Sequence, residues 1–248
     1  MGAMPEEIDG VVSLLTEKRE FRRGMRTYFT GRIDGIKTVV VFSRWGKVAA
    51  ATTMTNLILE FKITEVIFTG VAGAIHPALS IGDIVVAQRL IQHDMDGRPL
   101  MSEFEIPLLG LTYIECKPRQ LEIATNAVDS LIESKNLHTL FPNDELARFG
   151  ITNPRLFTGE VASGDKFFSG HEEKLCLMNK LPSVLCVEME GAAVAQVCLE
   201  YDLPFTIVRT ISDSADEQAH IDFSTFIQEI SSKYSVAIVQ NIYKQFLE

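Results

Sequence analysis

No apolar stretch in this sequence approaches the roughly 20 residues that a membrane-spanning helix needs. The four cysteines, Cys116, Cys176, Cys186 and Cys198, form no CxxC pair and have no histidine at zinc spacing. That argues against a structural zinc site or a disulfide scaffold, and reduced, mostly buried thiols are expected instead. Excess positive charge is also missing. Acidic residues number 33 and basic residues 23, for a formal charge of −10. A general nucleic-acid binder needs a basic stripe to meet phosphates, so neither nucleic acid nor a membrane is an expected partner. The N-terminus carries Glu6, Glu7 and Asp9 where a signal peptide has a basic start and a long apolar run. A soluble cytoplasmic protein is the expectation.

What is present is ordinary for a globular chain: 248 residues, 46% hydrophobic and 23% charged, enough for one large α/β domain. Short β-branched runs alternate with segments of helical period. Strands are expected at Lys37–Phe42, Glu65–Phe68, Asp83–Leu90, Leu156–Val161, Ser183–Val187 and Phe205–Thr210. Helices are expected at Gly46–Phe61, Arg119–Ser134, His171–Asn179, Gly191–Tyr201 and Phe223–Phe246, the last capped by Asp222. Phe223, Phe226, Ile227, Ile230 and Tyr234 recur at helical spacing and mark a buried stripe. Pro142–Pro154 is polar and rich in turn residues, so it reads as a surface excursion. Strand–helix alternation is the pattern of a sheet covered by helices on both faces, and sites then collect where strands end.

Polar residues just after expected strands are therefore the candidates. Glu188 and Glu190 follow one apolar strand and open a helix, while Arg209, Ser212 and Asp213 close the next. If those strands are parallel and close together, both sets of acids face one crevice. An ionised carboxylate there accepts the hydroxyls of a diol, and a protonated one donates to a leaving group. Alternatively, the glutamates simply cap the helix, where acids are favoured in any case. Thr69–Ala74 is rich in small residues but has neither a GxGxxG fingerprint nor a P-loop lysine, and by itself reads as a tight turn. Phe167 and Phe168 are placed to stack on a planar base, although adjacent phenylalanines are more often core.

Taken in order, the segments GAMPEE (Gly2–Glu7), WGKVAAA (Trp45–Ala51), TGVAGA (Thr69–Ala74), GDIVVA (Gly82–Ala87), HDMD (His93–Asp96), ASGDKFF (Ala162–Phe168), VEMEGAAVA (Val187–Ala195) and RTISDSAD (Arg209–Asp216) spell a family pattern. The chain resembles the 5′-methylthioadenosine/S-adenosylhomocysteine nucleosidases of the purine nucleoside phosphorylase superfamily. The resemblance implies an α/β protein, a single-domain three-layer α/β/α sandwich over residues 1–248 with a central mixed twisted sheet. It implies hydrolysis of an N-glycosidic bond with Asp213 as the acid that protonates the purine N7. Glu7 would be the base that activates water, and Arg209 would help to hold that water. Glu190 would bind the ribose hydroxyls, with Met189 against the sugar. Phe167 would stack on adenine and the Phe168 backbone would read its edge. Glu188, Val71, Ala72 and Ser212 complete the expected lining. Trp45 and Phe223 match apolar positions near the 5′-substituent, with core filling the alternative for Trp45. No metal and no organic cofactor is implied. A homodimer is implied, with the loop 96–109, which includes Leu100, closing the partner's pocket.

The chain departs from the pattern in three places. Val71 stands where some relatives carry a serine beside the water. The sequence begins almost at the first motif, so most of the usual opening strand is expected to be missing. The stretch Asn136–Arg155 is longer than in compact relatives and has no functional reading. Other activities remain open: aminodeoxyfutalosine hydrolysis, phosphorolysis of a purine nucleoside, and non-catalytic nucleoside binding or storage on the same fold. Phosphorolysis needs dedicated cationic or hydroxyl donors beside the sugar, which Arg209 alone barely supplies.

Overall fold

The computed structural model describes residues 1–133, 135–141, 143–216, 223 and 225–247. Helix α1 (Pro5–Ser13) leads into an antiparallel three-stranded sheet of β1 (Thr16–Arg23), β2 (Arg26–Ile33) and β3 (Ile36–Val40). The β1–β2 hairpin was not expected. Every residue of β1 is exposed, so its sequence carries no alternation of apolar and polar positions.

Helix α2 (Lys47–Phe61) and strands β4 (Val66–Ala74), β5 (Ile84–Gln92) and β6 (Tyr113–Glu115) follow. Next come α3 (Pro118–Ile132), α4 (Lys135–Leu140), α5 (Asn143–Arg148), β7 (Leu156–Ser163) and α6 (His171–Lys180). The chain ends with β8 (Val184–Glu188), α7 (Gly191–Glu200), β9 (Phe205–Asp213), a π-helical turn at Ile227–Ser231 and α8 (Ser232–Leu247). Asp222, expected as the cap of the last helix, lies outside the described residues.

The central mixed sheet runs β6-β5-β7-β8-β4-β9, and it curls until β5 also pairs antiparallel with β9, Ile84 opposite Thr210. Its strands are apolar on both faces. Phe68, Val85 and Ile207 pack with Met54 and Leu57 of α2 and with Val194 and Cys198 of α7. Their neighbours Ile84, Val86 and Val208 pack on the other side, with Val128 of α3 and Ile238 and Ile242 of α8. The period of two along each strand sends adjacent residues to opposite helical layers. Each such fully buried side chain contributes about 1.5–3 kcal/mol. This is the nucleoside phosphorylase-like α/β fold. No helix among the described residues is long and apolar enough to cross a membrane.

Two expectations are corrected. Thr69–Ala74 is not a turn but the buried second half of β4. Small residues there make room for side chains arriving from elsewhere. The stretch Pro142–Pro154 is not a bare surface excursion either. Together with α4 just before it, the stretch packs Phe141, Leu146 and Ile151 into the core, Phe141 lying 5.2 Å from the Tyr234 ring. Its polar residues hid that apolar side. Gly2 N–H donates to the Val41 carbonyl just beyond β3, and Thr69 N–H of β4 donates to that of Met1.

Candidate active site

The strand ends build one cleft. The acids do not meet as expected from parallel neighbours, because β4 lies between β8 and β9 and is antiparallel to β8. They meet because β4 and β8 overlap only at their carboxyl ends, Gly73 opposite Val187, while Gly73 also pairs with Asp213 on the other side.

Glu7 arrives from α1. Pro5 presets the first helical turn, and the Glu7 carboxylate turns back to accept the N–H groups of Ala3 at 2.5 Å and Met4 at 3.1 Å. Its other oxygen accepts the Val71 N–H at 3.3 Å. Burial raises the Glu7 carboxyl above its ordinary value of 4.5, against the opposing pull of Arg209 and these N–H groups. Gly70 is what lets it in. A Cβ there would sit 2.9 Å from Glu7 Oε1 and 2.6 Å from Arg209 Nη1.

Glu188, which ends β8, and Glu190 just after it divide the roles that the sequence left open. Glu188 is the cap: it accepts the N–H of Glu190 at 3.1 Å and of Gly191 at 2.8 Å, the Ser163 hydroxyl, and Arg209 Nη2 at 2.6 Å. It borders the cleft, but both its oxygens are engaged from behind. Glu190 stands at the N-cap of α7 and accepts the Gly46 N–H at 2.8 Å. Burial, reinforced by the Glu188 charge, pushes its carboxyl up to about 8.

Asp213 ends β9 with one oxygen accepting the Ala215 N–H at 2.9 Å and the other 2.7 Å from the Ser212 hydroxyl. A Cβ on Gly73 would fall 2.8 Å from its Oδ1. The following loop is pinned by Lys174, whose Nζ donates to the Ser214 carbonyl at 2.6 Å.

Arg209 lies deep behind the strand ends, 1% exposed, next to Glu7 across Gly70. Its guanidinium lies 4.1 Å over the Phe68 ring and beneath Glu188 and Glu7. From there its charge faces the carboxylates of Glu188 and Glu7.

The cleft is lined by Glu7, Val71, Ala72, Glu188, Met189, Glu190, Ser212 and Asp213. Trp45, Phe167, Phe168 and Phe223 form its aromatic side. Trp45 meets Phe223 edge-on at 6.1 Å, and Phe223 meets Phe167 at 5.4 Å. Trp45 is 54% exposed, so it does not fill the core. Phe168 turns inward and rests edge-on against His93 at 5.3 Å. The sequence reading missed Ala3, Met4, Gly73, Lys166 and Val187 in the lining. All of these lie within the same motifs as residues it did name. Chemically, the cleft offers the carboxylates of Glu7, Glu190 and Asp213 and an aromatic stacking surface.

The chain is similar to known proteins over nearly its whole length. The phosphorylase superfamily model matches residues 1–244. A 5′-methylthioadenosine/S-adenosylhomocysteine nucleosidase from Geobacillus thermodenitrificans is 31% identical, over 96% of this chain and 92% of its own. The nucleosidase of that name from Neisseria meningitidis, solved with methylthio-immucillin-A, superposes with a TM-score of 0.86 at 29% identity, covering 98% of this chain and 96% of that one. A futalosine hydrolase from Helicobacter pylori superposes at 0.81 with 30% identity, covering 98% and 95%.

Proposed function

The chain belongs to the methylthioadenosine/S-adenosylhomocysteine nucleosidase family of the phosphorylase superfamily, and from that premise we propose that it hydrolyses 5′-methylthioadenosine and S-adenosylhomocysteine to adenine and the corresponding thioribose. It is an N-glycosyl hydrolase by family. One observation carries the substrate reading: Glu7, Glu190 and Asp213, from distant parts of the chain, border a single cleft with an aromatic side.

In this reading Asp213 gives its proton to the purine N7 as the bond to C1′ breaks, so adenine leaves neutral. Positive charge grows on the ribose, and the neighbouring carboxylates stabilise it. Water adds to C1′ and its proton passes to Glu7, whose raised proton affinity suits a base. Glu190 accepts the 2′- and 3′-hydroxyls, Met189 packs on the sugar, and Phe167 stacks on the base while the Phe168 backbone reads its edge. Glu188 and Arg209 hold the acids in place. These steps use the protein's own groups and water and ask for no cofactor. Trp45 and Phe223 form an apolar wall suited to an alkylthio group at the 5′ position.

A cytoplasmic homodimer of one-domain subunits completes the reading. Leu100 and Leu108, 89% and 98% exposed on the loop 96–109, support an apolar subunit contact. Hydrolysis of a futalosine-type nucleoside is the second reading, favoured by the likeness to the Helicobacter pylori futalosine hydrolase.

The test is adenine release without phosphate, comparing methylthioadenosine, S-adenosylhomocysteine and aminodeoxyfutalosine. Fastest turnover of the thio-substituted nucleosides is expected. A strict requirement for phosphate would overturn hydrolysis, and selective use of aminodeoxyfutalosine would favour the second reading.

A further inference from the structure

Lys47 does not line the cleft, yet two segments that do, those of Trp45 and Phe167, meet at it together with the end of β5. It opens α2 immediately after Trp45 and Gly46. Its backbone N–H donates to Asp165 Oδ1 at 2.7 Å, on the loop that carries Phe167. Its ammonium donates to Asp94 Oδ1 at 2.6 Å and to Gln92 Oε1 at 3.2 Å, at the end of β5. Asp94 closes the ring by accepting the Asp165 N–H on Oδ2 at 2.9 Å. The ion pair is shielded, with the Lys47 and Asp94 side chains 16% and 31% exposed. Gln92 is itself fixed, because its amide donates to Gln196 on α7 at 2.7 Å.

The consequence lies one residue away. The Gly46 N–H holds Glu190 at 2.8 Å, and Gly46 adopts φ +92, a conformation that L side chains rarely enter. Glycine adds no stiffness of its own there, so the start of α2 relies on its bonds, those of Lys47 among them.

We propose that Lys47 is a positioning residue: its bonds to Asp94 and Gln92 fix the Gly46 N–H against Glu190 and the Trp45 ring across from Phe167. Lys47 thereby governs ribose engagement and the fit of the 5′-substituent. The kinetic part rests on the nucleosidase reading, whereas the placement of Trp45 does not. An ammonium gripped by a carboxylate and an amide is a charge-assisted anchor with defined direction. Without it, the Trp45–Gly46 segment loses its tie to β5 while Asp213 and Glu7 stay in place.

The experiment uses Lys47→Met, Asp94→Asn, their double variant and Lys47→Arg, with thermal melts to check that each folds. Lys47→Met should raise KM for methylthioadenosine about tenfold and change kcat less than threefold. Asp94→Asn should act in the same direction. The double variant should be no worse than the worse single one, because both break the same contact. Lys47→Arg, which keeps a cation, should recover most of the loss. Trp45 is the sole tryptophan, so its emission in the ligand-free protein reports the segment directly and should change in Lys47→Met.

Unchanged Trp45 emission with unchanged KM would overturn the proposal, as would multiplying effects in the double variant or a loss confined to kcat. If the wild-type protein releases no adenine from any nucleoside, the nucleosidase reading fails, and Trp45 emission alone then decides the positioning role.

Discussion

Arg209 and Glu188 form an ion pair, Nη2 to Oε2 at 2.6 Å, with their side chains 1% and 3% exposed. Two charges out of water are costly to hold, and a pair broken on one side leaves the other uncompensated. Arg209 also sits beneath Glu7, so its removal strands more than one carboxylate. Arg209→Met should lower the unfolding free energy by about 3–5 kcal/mol, read from urea denaturation. Adding Glu188→Gln to it should recover part of that loss. A single-variant loss below about 1 kcal/mol would show that the pair is not what holds this layer.

Asp213→Asn tests the proposed acid. The amide retains the size and hydrogen-bonding capacity of the side chain but cannot deliver a proton. We expect kcat to fall by about 10²–10⁴-fold while methylthioadenosine still binds. Single-turnover adenine release and calorimetric binding separate the two effects. Near-normal turnover would remove Asp213 from the role of acid.

How much of this was legible in the sequence depends on what each residue's neighbours reveal. The inner parts of β4 and β9 and most of β5 are β-branched runs and read as buried strands. The outer ends of β4 and β9 do not. Thr69–Ala74 and Ser212–Asp213 are small or polar, which reads as loop, because these positions serve arriving side chains rather than core packing. The β1 strand left no pattern because both of its faces meet solvent. Glu190 and Asp213 stood out locally, but Glu7 did not, since only its motif linked the first helix to strand ends far along the chain. The depth of Arg209 and the division of labour between Glu188 and Glu190 depend on which N–H groups point where, which spacing alone does not encode.

Glu190 makes the cleft sensitive to pH. In the unfolded chain it titrates near its ordinary 4.5, and in the fold at about 8, through burial first and the Glu188 charge second. Its contribution to stability is therefore complete below about 4.5, falls as pH rises through the window up to about 8, and levels off above it. Accepting a ribose diol with both oxygens calls for the ionised form, so nucleoside binding at pH 7 should release a proton. Binding heats in two buffers of different ionisation enthalpy measure that proton. Glu190→Gln should abolish the release and flatten the stability profile. Buffer-independent heats for the wild type would exclude this linkage.

The glycines of β4 give the most local test of geometry. A Cβ at Gly73 would lie 2.8 Å from Asp213 Oδ1 and 3.0 Å from the Ala215 side chain, so the acid or its loop must move. A Cβ at Gly70 would instead press on Arg209 Nη1 at 2.6 Å and Glu7 Oε1 at 2.9 Å. These neighbours belong to a buried charged layer that cannot yield into solvent. The two alanine variants should therefore fail differently. Gly73→Ala should lose turnover by about 10²-fold, the scale of a misplacement near 1 Å at a reacting group, with a small shift in thermal midpoint. Gly70→Ala should lose stability by about 1–3 kcal/mol, as overpacking does, and lose turnover with it. Melts and phosphate-free adenine release on both variants decide the matter. Full turnover in Gly73→Ala would mean that the position of Asp213 against β4 does not limit the chemistry.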